Sequence, residues 1–155
     1  MVRLMDYQKL VEFYNVHNLL PSTKSDEELW AYFARMDYRK NLIMEYDTEF
    51  NIIGYCEFWR INCEQLGKIM VYGASNINEE ETTSGEIAFV ANVAVHPEHK
   101  RYVFKSMKAK FFLMNYNCKF FCGDSRRRVH HHTFNIYPRT EMISKYLTTE
   151  VINHG

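Results

Sequence analysis

The sequence predicts an α/β (α+β) fold in which helices flank a mixed central sheet. One basis is the run 87–95, which is apolar on both alternating sides except at Asn92, as in a strand buried on both faces. A helical stripe follows, with apolar residues every three or four positions: Val103, Met107, Phe111 and Met114. The third basis lies upstream, where two strand-like runs, 41–46 and 52–61, flank a short polar segment in the manner of a β-hairpin.

The chain has 155 residues, and we expect it to form a single domain over residues 1–155 with a substantial core. Its 46% hydrophobic and 25% charged residues exclude a disordered chain. The formal net charge is zero, so a nucleic-acid partner would have to be bound by a local basic patch. Arg126, Arg127 and Arg128 form such a patch.

The cysteine content indicates the redox setting of the chain. The four cysteines are too few for a disulfide framework in a domain of this size and favour reduced thiols in a cytoplasmic setting: Cys56, Cys63, Cys118 and Cys122. The N-terminal segment lacks a signal-peptide core, and no apolar run approaches the ~20 residues that cross a bilayer. We therefore expect no membrane partner.

In the first third of the chain we predict a very short strand and two helices. The strand is predicted at 2–4, and Asp6 then caps a helix whose apolar stripe ends at His17. The Ser25–Glu28 segment has the pattern of a capping box, and the helix that it opens ends near residues 38–40. Its predicted buried residues are Leu29, Trp30, Phe33 and Met36.

The hairpin and the segment after it carry further signals. Gly54, inside the second hairpin strand, indicates a bulge or a close backbone approach. Residues 63–72 favour a short helix, although Val71 and Tyr72 could instead extend a strand. Residues 76–84 form a polar, acidic loop.

The last third of the chain is predicted to complete the sheet. We predict a buried strand over Cys118–Cys122, a turn at Gly123–Asp124, a second strand over Arg126–Tyr137 and a closing helical turn over Glu141–Leu147. The crossover from the central strand through its helix predicts that the Cys118–Cys122 strand is parallel to it and reached by a right-handed connection.

The segment that joins the central strand to its helix carries a family resemblance. Val93–Glu98 ends the strand in a V-x-V segment and a V-x-P-E turn, and the basic segment His99–Lys105 opens the helix. This arrangement can hold an anion on the backbone N–H groups of a helix N-terminus. It resembles the GCN5-related N-acetyltransferase (GNAT) superfamily, and the order of elements extends the likeness over most of the chain.

The resemblance implies acetyl-CoA as the cofactor and an amine of a small molecule or protein as the acyl acceptor. Amides of the strand end would bind the pantetheine and the thioester oxygen: Val93, Ala94 and Val95. The loop and helix start would hold the pyrophosphate: Lys100, Arg101, Tyr102, Val103, Phe104 and Lys105.

The chain departs from the family pattern in two places. The loop glycines are absent, with Val103 and Lys105 in their positions. Either the helix begins with ordinary backbone angles and binds phosphate through amides plus Lys100, Arg101 and Lys105, or acyl-CoA binding is weak or lost. In addition, the helix that the family places after the Cys118–Cys122 strand is shortened or missing, because only Gly123–Ser125 is available for it.

The resemblance also implies catalytic residues. Glu86, at the start of the central strand, resembles the family's general base, and the alternative is a solvent-facing edge carboxylate. In the family a Tyr beyond the next strand often serves as the general acid, and this chain has no Tyr at that place. Tyr137, after a different strand, is the candidate for protonating the departing thiolate, and the alternative is a core or surface tyrosine.

Two other clusters have alternative interpretations. A zinc site is conceivable at Cys118, Cys122, His130 and His132. The spacing fits no common zinc module, and the cysteines are equally consistent with core residues, so we assign no metal site. The Arg126–Arg128 patch could contact a CoA phosphate, a nucleic acid or an acidic partner, or be a solvated turn.

These observations leave two predicted functions. The first is an acyl-CoA-dependent N-acyltransferase that moves an acetyl group to an amine. The alternative is a catalytically degenerate GNAT-fold protein that binds a protein or nucleic-acid partner, which the loss of the loop glycines and of one helix would favour.

Overall fold

The chain forms a five-stranded mixed sheet flanked by helices in a computed structural model that describes residues 2–18, 23–128 and 131–144. The helices are α1 (Val2–His17), α2 (Asp26–Tyr38), α3 (Cys63–Tyr72) and α4 (Lys100–Met114). The strands are β1 (Leu42–Tyr46), β2 (Ile52–Ile61), β3 (Ile87–Val95), β4 (Phe120–Arg128) and β5 (His131–Pro138). None of the described helices is long and apolar enough to cross a membrane.

The strands are ordered β1-β2-β3-β4-β5 across the sheet. β1 and β2 are antiparallel and form the predicted hairpin, whereas β3 and β4 are parallel, as the crossover through α4 predicts. β3 runs opposite to β2, since the amide of His96 after β3 bonds Ile53 O at the start of β2, while Gly85 before β3 contacts Ile61 at its end. The mixed α/β sheet is therefore confirmed.

Contacts divide the chain into two compact units, Met1–Glu57 with Asn92–Lys108 and Phe58–Ala91 with Ala109–Gly155. The expectation of a single domain over residues 1–155 stays a prediction. The core of the first unit joins α1 and α2 to the hairpin through Leu10, Phe33, Met36, Tyr55 and Ala94, among others. The core of the second unit joins α3 to the sheet through Trp59, Ile61, Leu66, Ile69, Ile87, Phe89 and Cys122.

The start of α1 corrects one prediction. The helix begins at Val2, so the strand predicted at 2–4 is wrong, and Asp6 is a buried residue inside the helix and not its cap. The physical reason is that Arg, Leu, Met, Gln and Lys are good helix formers, and their run extends the helix back to Val2.

Both ends of α2 follow from local sequence. The Ser25 hydroxyl accepts a hydrogen bond from the Glu28 amide, as predicted for an N-cap. At the other end the Asn41 amide bonds Met36 O and the Lys40 amide bonds Asp37 O, which is the Schellman pattern. Lys40 has the positive φ of 60° that this pattern needs, although it is not glycine.

Residues 63–72 form a helix, as favoured, and not a strand extension. The Asn62 side chain accepts from the Gln65 amide at 2.8 Å, and the Gln65 side chain accepts from the Asn62 amide at 2.8 Å. This reciprocal capping box satisfies two N–H groups that the first turn otherwise leaves unbonded.

The β4–β5 region differs from the prediction. The turn predicted at Gly123–Asp124 is wrong, because β4 continues through Arg128, and the second strand begins at His131 and not at Arg126. Pairing of Gly123 with Asn135 across the antiparallel ladder stabilises an extended backbone that Gly-Asp alone does not favour.

Only two residues of sequence separate the end of β4 at Arg128 from the start of β5 at His131. That is too short for a helix, so the predicted loss of that helix is confirmed. The closing helix predicted over Glu141–Leu147 is observed as helical backbone at 139–144, and residues 145–147 lie outside the described residues.

Candidate functional site

The central strand β3 changes its environment along its length. Ile87, Ala88 and Phe89 are buried, and they pair with Phe120, Phe121 and Cys122 in the parallel ladder that the structure describes. From Val90 onward the strand is only partly buried, apart from Ala94, and the Val93 side chain is 38% exposed. The burial on both faces predicted for 87–95 therefore holds for its first three residues.

A buried hydrogen-bond network anchors the end of β3. The Asn92 amide group donates to the Tyr55 hydroxyl at 3.0 Å, and the Asn18 amide group donates to the same oxygen at 2.8 Å. Tyr55 is fully buried, and this burial raises the pKa of its hydroxyl. The network holds β3 against β2 immediately before Val93, and sequence reasoning missed it, although Asn92 was the one polar residue in the strand.

The turn after β3 uses most of its backbone donors internally. The Glu98 amide donates to His96 Nδ1 at 3.2 Å, the His99 amide donates to His96 O at 3.0 Å, and Pro97 has no N–H group. These positions therefore offer no free amide to an anion. The amides of Lys100–Lys105, to which the resemblance assigns the pyrophosphate, are not among these positions, since α4 begins at Lys100.

Val103 does not crowd the start of α4. Its side chain is fully buried, and a Cβ added at Gly54 would lie 2.5 Å from Val103 Cγ1, so the glycine makes room for the valine. Among the described residues that are not glycine, only Lys40 and Phe50 have positive φ, so Val103 has ordinary helical angles. α4 therefore has the ordinary helical start of the first alternative, and whether it binds phosphate stays a prediction.

The outer face of the α4 start is basic. The side chains of Lys100, Arg101 and Lys105 are exposed, and the first turn of α4 contains no acidic residue. Cations near a helix N-terminus oppose the helix dipole, and like charges four residues apart, such as Arg101 and Lys105, repel. A bound anion would relieve both effects.

The other residues of this segment differ in exposure. The Tyr102 side chain is 71% exposed, whereas Phe104 is half-buried. Glu45 accepts a hydrogen bond from the Ser106 hydroxyl at 2.9 Å, which links α4 to β1. All the predicted cofactor-binding residues, Val93–Val95 and Lys100–Lys105, lie together in the first unit.

The predicted catalytic residues lie in the second unit. Glu86 forms an ion pair with Lys119 at 3.0 Å, and both side chains are more than 60% exposed, which matches the edge-carboxylate alternative. Tyr137 pairs with Phe121 across the ladder and is 42% exposed. Because β4 lies between β3 and β5, the sheet does not bring Glu86 and Tyr137 into direct contact. Their catalytic roles stay predictions.

The structure gives little support to the zinc alternative. Cys118 and Cys122 are buried and form no disulfide, and burial raises the pKa of Cys118. Cys122 pairs with Ile136, whereas His132 pairs with Arg126, so four residues of β5, or about 13 Å, separate His132 from the position opposite Cys122. His130 lies outside the described residues, as do the side chains of His132 and Arg126–Arg128.

Comparison with known proteins finds solved structures of similar fold. No family model matches the chain, and no curated protein matches its sequence. A GNAT-like decarboxylase, GphF, solved in complex with isobutyryl-CoA, superposes with a TM-score of 0.57 at 16% identity, over 82% of this chain and 65% of that one. The loading GNATL domain of CurA from Lyngbya majuscula superposes with a TM-score of 0.53 at 14% identity, over 82% of this chain and 63% of that one. The chain spans slightly less than two thirds of each of these structures.

Proposed function

We propose that this chain, which has a GNAT-like fold, binds an acyl-CoA at the junction of β3 and α4 and transfers the acyl group to an amine. The observation that carries the proposal is the basic start of α4, where Lys100, Arg101 and Lys105 are exposed and the first turn of the helix contains no acidic residue. A solved neighbour of the same fold is bound to isobutyryl-CoA, which supports an acyl-CoA as the anion.

The ligand would be held by two parts of the first unit. The backbone of Val93–Val95 would hydrogen-bond the pantetheine, with Asn92 and Tyr55 keeping the strand in place. The pyrophosphate would lie at the start of α4, on the amides of its first turn and in charge-assisted contact with its three cations. The exposed Tyr102 ring offers a face on which the adenine could stack.

In the transfer step the amine nitrogen attacks the thioester carbonyl, so that a C–N bond forms and the C–S bond breaks. Glu86 would take the proton released from the amine, and Tyr137 would protonate the departing thiolate. Donors near the carbonyl oxygen would stabilise its developing negative charge. We propose acetyl as the acyl group and a small-molecule or protein amine as its acceptor.

Calorimetric titration tests the binding step. The wild-type chain should bind acetyl-CoA, with isobutyryl-CoA as a second ligand. Lys100→Ala combined with Arg101→Ala should weaken binding about tenfold at low salt, because two charge contacts are lost, and the difference should shrink as salt rises. Lys108→Ala, which removes an exposed cation further along the same helix, is the matched control and should leave affinity unchanged. If neither acetyl-CoA nor isobutyryl-CoA binds at millimolar concentration, the proposal is refuted.

Thiol release tests the transfer step. Free CoA should appear when acetyl-CoA and a suitable amine are present, and Glu86→Gln should lower kcat without changing the affinity for acetyl-CoA. The surface ion pair of Glu86 with Lys119 favours the alternative that the chain binds without turnover. If the chain binds acetyl-CoA but releases no CoA with any amine of a broad panel, that alternative is supported. Its next test would be binding of a protein or nucleic-acid partner through Arg126–Arg128.

A further inference from the structure

We infer that His96, Glu98 and His99 form a binding site for a divalent transition-metal ion such as Zn²⁺, with His17 as a further ligand. One ligand atom from each of the first three residues can be chosen so that all lie within 4.8 Å of one another. Imidazole and carboxylate groups are ligands that Zn²⁺ accepts in tetrahedral sites. Among the described residues this is the one group of at least three such side chains close enough to share an ion.

The geometry of the turn explains why these side chains converge. Pro97–His99 forms a 3₁₀ turn between β3 and α4, and in a 3₁₀ turn side chains three positions apart eclipse one another. His96 and His99 have this spacing, and their ring centroids are 5.4 Å apart. The turn is fixed by two backbone bonds, from the His96 amide to Ile53 O and from the His99 amide to His96 O. The donor groups are therefore largely positioned before an ion binds.

His17 lies outside this group of three, and it would supply a fourth ligand from a different element. It is the last residue of α1, and its ring centroid lies 5.1 Å from that of His96. The ring also packs against Phe13 at 4.4 Å, which limits its orientations. Asp47 lies within electrostatic reach of His99 and adds negative charge near the cluster. All these residues belong to the first unit, so the site is contained within one compact body.

Metal binding would change one contact in the turn. His96 Nδ1 accepts a hydrogen bond from the Glu98 amide at 3.2 Å, so in this state Nε2 carries the ring proton. Coordination through Nε2 would move that proton to Nδ1 and break the bond to the amide. Coordination through Nδ1 would replace the bond directly. Either route exchanges one long hydrogen bond for a metal–nitrogen bond.

Titration of metal-free protein with Zn²⁺ and Co²⁺ tests the site. We expect one ion per chain by calorimetry, and Co²⁺ should show the intense visible absorption of tetrahedral coordination. Glu98→Gln, at an exposed position, and His99→Gln, which preserves side-chain size, should each weaken Zn²⁺ binding at least tenfold. His17→Gln should weaken it less, or shift the Co²⁺ spectrum.

The controls separate this site from other donors in the chain. His131→Ala and Cys63→Ser remove a residue of the histidine run and the exposed thiol, respectively, and should leave the Co²⁺ spectrum unchanged. The inference is overturned if His131→Ala abolishes binding, if Glu98→Gln and His99→Gln leave it intact, or if Zn²⁺ does not bind below millimolar concentration. None of these outcomes depends on whether the chain binds an acyl-CoA.

Discussion

Val103 stands where the resemblance to GNAT proteins leads one to expect glycine, and its neighbours explain why a β-branched residue is accepted. The side chain is directed into the core and occupies the space that Gly54 leaves open on β2. Met107, one turn further along α4, is buried next to the same glycine. The glycine that permits close packing therefore lies on the strand, while the helix keeps ordinary backbone angles.

We predict that Gly54→Ala destabilises the protein by about 1–3 kcal/mol, because the new Cβ would overlap the stiff Val103 side chain. The measurement is urea unfolding. The double variant Gly54→Ala, Val103→Ala should show a non-additive recovery, since the clash is then removed. Gly67→Ala is the control: this α3 glycine has nothing within 4 Å of an added Cβ, so the change should stabilise by about 0.5–1 kcal/mol. An additive double variant would contradict the argument.

Among the secondary-structure elements, two helix starts follow local capping rules whose signals are present in the sequence. Ser25 caps α2, and Asn62 with Gln65 caps α3. The N-x-x-Q spacing of the second box is itself a local signal in the sequence for the start of this helix. The end of α2 was harder to predict in detail, because Lys40 adopts a left-handed conformation that glycine or asparagine usually supplies.

The α3 capping box gives a quantitative prediction. Asn62→Ala should lower the free energy of unfolding by about 1 kcal/mol, because the Gln65 amide loses its acceptor. Asn78→Ala is the matched control, since Asn78 precedes a 3₁₀ turn without making a side-chain cap, and it should change stability by less than about 0.5 kcal/mol. Equal effects of the two substitutions in urea unfolding would show that the box contributes nothing specific.

At the scale of the whole molecule, the two compact units are not separate stretches of chain. Each unit is assembled from two segments, and β2, β3 and α4 each pass from one unit into the other. Neither unit can therefore fold from one continuous piece of sequence. We expect the two units to unfold in one cooperative transition.

The cysteines report on that transition. Cys63 is exposed and should react quickly with a thiol reagent, whereas Cys56, Cys118 and Cys122 are buried. Burial, with a smaller contribution from the charge of Glu57, raises the pKa of Cys56 to about 12, so its thiol should react only when the structure opens.

Labelling as a function of urea should therefore show one midpoint for Cys56 in the first unit and for Cys118 and Cys122 in the second. Cys63→Ser should remove the fast reaction and leave this midpoint unchanged. Labelling of Cys56 at a clearly lower urea concentration than the other two would show that the units open independently.

The order and type of most elements can be predicted from the sequence alone, because the periods of apolar residues report which faces are buried. It predicted the hairpin, the central strand, α4 and the lost helix between β4 and β5, and the GNAT-like fold that follows from them is confirmed. The candidate site was predicted only as a segment, Val93–Lys105. The roles of its residues, and those of Glu86 and Tyr137, stay predictions.

How that segment presents its groups depends on contacts between elements. Whether Val103 points inward depends on Gly54, which lies on β2. The extension of β4 past Gly123 likewise depends on its pairing with β5. Each of these outcomes is set by a neighbour whose position local periodicity does not report, and for this reason the sequence alone could indicate a candidate segment but not how its groups are presented.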